Sequence, residues 1–217
     1  MDIIASNINI KDITETLKGL QNMCNSVQIL YEAYAKGNTE LTNLANISFY
    51  LLWNYSKSMI ELKILLNATL PCEEDFAKGQ LCLTIDECIK HVIGFNTKDG
   101  KNRKESLWMK EMGEYISKHP EIKEQYGLIK DALIPYADDF DKGCILQEIR
   151  KIATHGDTHI DNLIKIHDLS HSEVIRYLAG WEKCISPAAH FAFTCFENEC
   201  QQELIKESYT YDNKKSI

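Results

Sequence analysis

Turn-forming residues are scarce in this sequence. The 217 residues include only 4 prolines and 10 glycines. A sheet-rich domain needs frequent turns, so the scarcity points to long helices. Excess positive charge is missing as well: 32 acidic residues face 24 basic ones, for a net charge of -8. That balance disfavours a broad surface for coating a polyphosphate. A small basic pocket on an acidic body stays open, because local charge decides docking. There is no long apolar run either. The longest uncharged stretch near the middle, Leu41 to Ser56, is broken by Thr42, Asn43, Asn46, Ser48, Asn54 and Ser56. A membrane span needs roughly 20 mainly apolar residues, so a buried helix and no membrane association are expected. The opening MDIIASNINI lacks a basic start followed by an apolar run, so no secretory signal is expected and the protein is read as cytoplasmic. None of the eight cysteines pairs as C-x-x-C; they are read as reduced thiols, mostly small core residues. No internal repeat or low-complexity segment occurs.

What is present suits one all-helical domain over residues 1–217. Hydrophobic residues make up 44% of the chain, enough for a real core. Ile13, Leu17, Leu20, Met23, Val27 and Leu30 recur at three- and four-residue steps, which predicts a helix over 10–35 that stops at Lys36-Gly37-Asn38. A second helix is expected from Thr39 to Leu70. It is apolar on more than one face early on, as befits the middle of a bundle. Trp53, Tyr50 and Tyr55 on it are read as core, as is Trp181 near the end of the chain. Residues 71–82 are read as a connection. Thr84-Ile85-Asp86-Glu87 then matches a capping box, opening a short helix to Val92. Gly94 to Lys104 reads as an exposed loop, and its Lys101, Arg103 and Lys104 as a small basic group on a solvated surface. Helices are expected at 105–118 and, after a break at His119-Pro120, up to Ile134. Pro135 to Gly143 reads as a turn. A helix over about 144–155 follows, and a last one from 171 to about 208 opens with the capping box Ser170 to Glu173. The fold expected is an up-and-down helical bundle with long helices and short connections.

The most informative segment is Glu148-Ile149-Arg150-Lys151-Ile152-Ala153-Thr154-His155-Gly156-Asp157. Ile145, Ile149, Ile152 and Ala153 fall on one side of a helix. Gly156 supplies a stop, since it tolerates the left-handed conformation. An arginine, four intervening residues and a histidine at a helix end resemble the signature of the HEPN superfamily. Those are helical-bundle proteins, many of them metal-independent ribonucleases of bacterial toxin–antitoxin and antiphage defence systems. The resemblance is sharp over residues 148–157 and coarse elsewhere. Two positions depart from the family pattern. Lys151 follows the arginine where Asn, Asp or His is common, and Asp157 stands where one subfamily has tyrosine. The resemblance implies a HEPN-like bundle without cofactors, a homodimer apposing its motifs across a two-fold axis, RNA as target and an antitoxin or regulatory protein as possible partner.

The chemistry of such a pair is simple. RNA is cleaved when its 2′-hydroxyl attacks the adjacent phosphate. That reaction needs a proton carrier near neutrality, which histidine supplies. It also needs a cation to stabilise the doubly charged phosphorane, which a guanidinium fork suits. Arg150 and His155 are the catalytic candidates, with Lys151, Asp157 and His159 as supporting residues. Positions five apart on an ideal helix point about 140° from each other, so Arg150 and His155 do not share a face. Either the arginine wraps, the helix end unwinds, or a second chain completes the site.

Other readings of the segment stay open. Cations near a helix C-terminus also complement its dipole, so Arg150 and His155 could serve a non-catalytic dimerisation or regulatory module. His155 with His159 and His167 with His171, among Asp157, Asp161 and Asp168, suggest a metal-binding protein. Against that, the spacing places helix boundaries inside both pairs. His155-Gly156-Asp157 through Asn162 also looks like a phosphotransferase catalytic loop, but the chain lacks the strands and the strand lysine of such an enzyme. Asn54, Ser58 and Glu61, polar positions on a buried helix, either satisfy one another or face the motif helix.

Overall fold

A computed structural model describes residues 9–94, 106–141, 148–149, 152–153 and 160–215, with backbone alone at 135–141, 162–163, 207 and 209–215. It is an all-α helical bundle, without a strand among the described residues. The helices are α1 (Ile10–Leu30), α2 (Thr39–Asn67), α3 (Pro71–Val92), α4 (Gly113–Lys118), α5 (Lys123–Asp141), α6 (Ile160–Asp168) and α7 (His171–Lys215). Buried side chains from Ile13 on α1 to Cys200 on α7 form one hydrophobic cluster. Among the described residues, no helix is long and apolar enough to cross a membrane.

α2 lies at the centre, packed against α1, α3 and α7. Leu44, Leu51, Leu52, Tyr55 and Leu62 are all buried along it, and sealing each such side chain contributes roughly 1.5–3 kcal/mol. One expectation about this helix fails: Trp53 is 57% exposed, stacked on exposed Phe49 with ring centroids 6.2 Å apart. Phe49, Trp53, Ile60 and Ile64, all exposed, recur at helical spacing along a flank of α2. Trp181, by contrast, is fully buried.

Local chemistry sets the helix ends. Past α1 the chain makes a π-helical turn (Tyr31–Ala35) and then Gly37, at φ +90°, reverses it. The Asn38 side chain accepts from the amides of Glu40 and Leu41 and so opens α2. The capping box at Ser170 forms as expected: Ser170 Oγ accepts from the Glu173 amide at 3.3 Å, and the Glu173 carboxylate accepts from the Ser170 amide at 3.2 Å. Leu169 and Val174, which flank the box, are both buried.

Two connections turn out to be helix. Residues 71–82 are the first half of α3, not a link. Pro71 sits at the first position, where its missing amide costs nothing. Glu73 closes the end, accepting from the amides of Thr69 and Leu70 at 2.8 and 3.2 Å. The Thr84 box does not exist; Thr84 is mid-helix, and its hydroxyl donates across to Glu61 on α2. The expected turn from Pro135 is also helical as far as Asp141. Proline removes one hydrogen bond from a helix, and fully buried Leu133 just before it anchors α5 in the core. Residues 142–143, the end of that expected turn, lie outside the described residues, as do Lys101, Arg103 and Lys104. A π-helical turn (Leu107–Met112) precedes α4, and a 3-10 turn (Pro120–Ile122) makes the expected break before α5.

Candidate functional site

Arg150, Lys151, His155, Asp157 and His159 all lie outside the described residues. What is described of their segment is its anchorage. Ile149 is fully buried and Ile152 nearly so. Ala153 packs on α3 at Gly79: a Cβ added to that glycine would stand 3.4 Å from the Ala153 Cβ. The apolar side of residues 148–153 is therefore committed to the bundle, while Glu148 is exposed and pairs with Lys165 of α6 at 3.5 Å.

Next to Gly79, Lys78 is 1% exposed. A buried ammonium is tolerable only when paired and hydrogen-bonded. Lys78 Nζ meets Glu74 one turn earlier and donates to the carbonyl of His167 at 3.3 Å, in the last turn of α6. A cation there also complements the negative end of the α6 dipole. Hydrogen bonding from Lys78 holds the Glu74 carboxyl below its usual range, against desolvation. Glu74 lies 3.0 Å from Nε2 of His171 at the start of α7, and Asp75 lies 3.2 Å from Nδ1 of His167. One turn of α3 thus ties together the end of α6 and the beginning of α7, and its next residue, Gly79, receives Ala153.

These pairings bear on the metal reading. His167 and His171 face different carboxylates, Asp75 and Glu74. No group of three or more His, Cys, Asp or Glu side chains among the described residues could hold a metal ion. His155, His159 and Asp157 lie outside them, and so does most of the kinase-like loop.

The polar positions of α2 find partners on α2 itself or on α3, not in one another. Asn54 donates to the Tyr50 carbonyl and Ser58 to the Tyr55 carbonyl. Glu61, 6% exposed, accepts from Thr84 at 2.8 Å, with Lys57 3.8 Å away. Burial pushes the Glu61 carboxyl up to about 7, outweighing the Thr84 hydrogen bond and the Lys57 charge.

A second polar constellation, absent from the sequence reading, lies in a cleft of about 740 Å³ between α4, α5 and α7. Tyr115 and His119 stack with centroids 4.2 Å apart. Tyr115 Oη donates to Glu199 of α7 at 3.0 Å. The His119 ring lies between two carboxylates, with Nδ1 3.3 Å from Glu121 and Nε2 3.7 Å from Glu199. Burial drives the Tyr115 hydroxyl well above its ordinary value, and raises the Cys195 thiol to about 12 with help from Glu199. No local pattern announces this site, because its halves are some 80 residues apart in sequence, as the separation of 84 between Tyr115 and Glu199 shows.

No protein-family model, no curated protein and no solved structure matches this chain. The class that fold and sites define is an all-α bundle with an ion-paired corner on α3 beside residues 148–153.

Proposed function

We propose that this chain is a HEPN-type homodimer that acts on RNA as a metal-independent endoribonuclease or RNA-binding effector of a toxin or defence system. The observation that carries the reading is the Arg150-x4-His155 spacing on a segment whose Ile149 and Ile152 are held in the core of a helical bundle. In this reading the 2′-hydroxyl attacks the neighbouring phosphorus, the bond to the 5′-oxygen breaks, and a 2′,3′-cyclic phosphate and a 5′-hydroxyl result. His155 carries the proton taken from the nucleophile or given to the leaving oxygen. Arg150 balances the charge gathering on the phosphorane oxygens. The clamp of Glu74, Asp75, Lys78 and Gly79 supports the reading by fixing Ala153 and the end of α6 to one turn of α3, a rigid base for a site near that segment. Incubation of purified protein with RNA in EDTA tests it. Cleavage, or RNA binding, that disappears in both Arg150→Ala and His155→Ala at unchanged melting temperature is the expected result. Activity that survives either substitution defeats the assignment.

A second reading, a non-catalytic dimerisation or regulatory module, draws on the exposed stripe of Phe49, Trp53, Ile60 and Ile64. Contiguous exposed apolar side chains are a common mark of an interaction surface. Sedimentation of a Trp53→Glu variant, with an RNA assay of the wild type, separates the two: a dimer broken by Trp53→Glu in a chain without RNA activity favours the module, and RNA activity in the wild type defeats it.

A further inference from the structure

We propose that the cleft between α4, α5 and α7 is a binding site for a small amphipathic organic cation, an ammonium head on an apolar tail. The inference is independent of the RNA reading.

The lining of the cleft includes two groups of different chemistry, beside neutral polar side chains such as Gln125 and Asn198 and a second imidazole, His190. One group is apolar: buried Ile129 and Phe191 and exposed Leu128. The other holds Glu121, Glu199, Tyr115 and His119. No lysine or arginine lines it among the described residues. Its volume of about 740 Å³ lies within the range of small-molecule pockets, and an apolar wall with a few convergent polar groups is their usual composition.

The sign of the preferred charge follows from the carboxylates. An ionised carboxylate offers about four lone-pair sites and has no proton to give. Half-buried Glu199 receives one firm hydrogen bond, from Tyr115, and His119 reaches it only at 3.7 Å. His119 itself stands 3.3 Å from Glu121, and its ring offers at most one N–H to each carboxylate. Acceptor capacity therefore remains in a partly shielded place that would repel a phosphate or carboxylate ligand. An ammonium supplies three donors and a compensating charge. The tail then covers Leu128, an apolar side chain otherwise facing water, beside the Phe191 wall.

The experiment uses three probes of one shape: 2-phenylethylamine, 2-phenylethanol and phenylacetate, titrated calorimetrically into the full chain at pH 8. The amine is expected to saturate at millimolar concentration or below. The alcohol should bind about tenfold to a hundredfold more weakly, the worth of a charge-assisted hydrogen bond, and phenylacetate should bind weakest. Glu199→Gln keeps an acceptor for Tyr115 and should lose that preference for the amine. Glu121→Gln changes an exposed side chain, so it tests the charge without risk to folding. An amine that fails to saturate, an alcohol that binds as tightly as the amine, or an amine affinity unchanged in both variants overturns the proposal.

Discussion

Thr84 donates its hydroxyl to Glu61 at 2.8 Å, joining α3 to α2 through a carboxyl that is only 6% exposed. The other carboxyl oxygen of Glu61 is buried and meets no hydrogen-bond donor among the described residues. Ionising such a group costs more in the folded chain than in the unfolded one, and burial accordingly raises it from 4.5 to about 7. Between those two values the folded state holds more protons than the unfolded state. This contribution to stability is complete below pH 4.5 and falls as pH rises through 7. The whole effect is about 3 kcal/mol at most. Glu61→Gln should flatten the stability profile over that window and be more stable than the wild type at pH 8, as judged by urea denaturation. A variant with the wild-type slope would show that Glu61 is already ionised at neutral pH.

Lys78 is the most exacting residue in the α3 corner. Replacing it with alanine takes the donor from the His167 carbonyl and one of two basic neighbours from the Glu74 carboxylate, which keeps His171 3.0 Å away. Because Glu74 is one-third exposed, the cost should fall below the roughly 3–5 kcal/mol typical of a fully buried pair broken on one side. Lys78→Met should cost less than Lys78→Ala, because the methionine keeps the packing of the stem while losing the charge. Chemical denaturation at pH 7 checks both the loss and the order. Equal stability of wild type and Lys78→Ala would mean that the corner is open to water.

The corner shows where local pattern stops being informative. The box at Ser170 was legible because a cap is a bond between residues two or three apart, whereas Asn38 was expected only as part of the stop after α1. Thr84 with Glu87 spells the same box, yet its hydroxyl is taken by Glu61, 23 residues earlier. Nothing within four residues distinguishes the two cases. Glu74 and Lys78 have the i,i+4 spacing of an ordinary solvated pair, and only the packing of α6 and α7 over α3 buries Lys78. Residues 71–82, expected as a connection, hold this pair. The motif at 148–157 was legible as a spacing, and the buried Ile149 and Ile152 agree with its expected inner face.

Gly79 sets the distance between α3 and that segment. An alanine there meets the Ala153 Cβ at 3.4 Å, ordinary contact at its near limit, and gains helix propensity of about 1 kcal/mol. Gly79→Ala should therefore leave the melting temperature within a few degrees of the wild type. Gly79→Leu has no room; overpacking typically costs 1–3 kcal/mol and would push Ala153 off α3. On the proposed function, Gly79→Leu should lose RNA activity at temperatures where circular dichroism shows the bundle intact. Retained activity would show that the position of Ala153 does not matter to the site.

Thiol reactivity tests the packing residue by residue. Cys72, in the first turn of α3, is exposed, whereas Cys24, Cys82, Cys88, Cys184, Cys195 and Cys200 are buried. Burial pushes Cys184 and Cys200 up to about 11 and Cys195 up to about 12, so at pH 8 the attacking thiolate is rare as well as shielded. Brief iodoacetamide treatment of the native chain should label Cys72 and spare those six; Cys144 lies outside the described residues. Guanidinium should make all of them reactive at similar rates. The informative case is Cys195, one turn before Glu199 in the wall of the cleft. Rapid labelling of Cys195 in the native chain would mean that α7 opens there, and would place the wall of the amine cleft elsewhere.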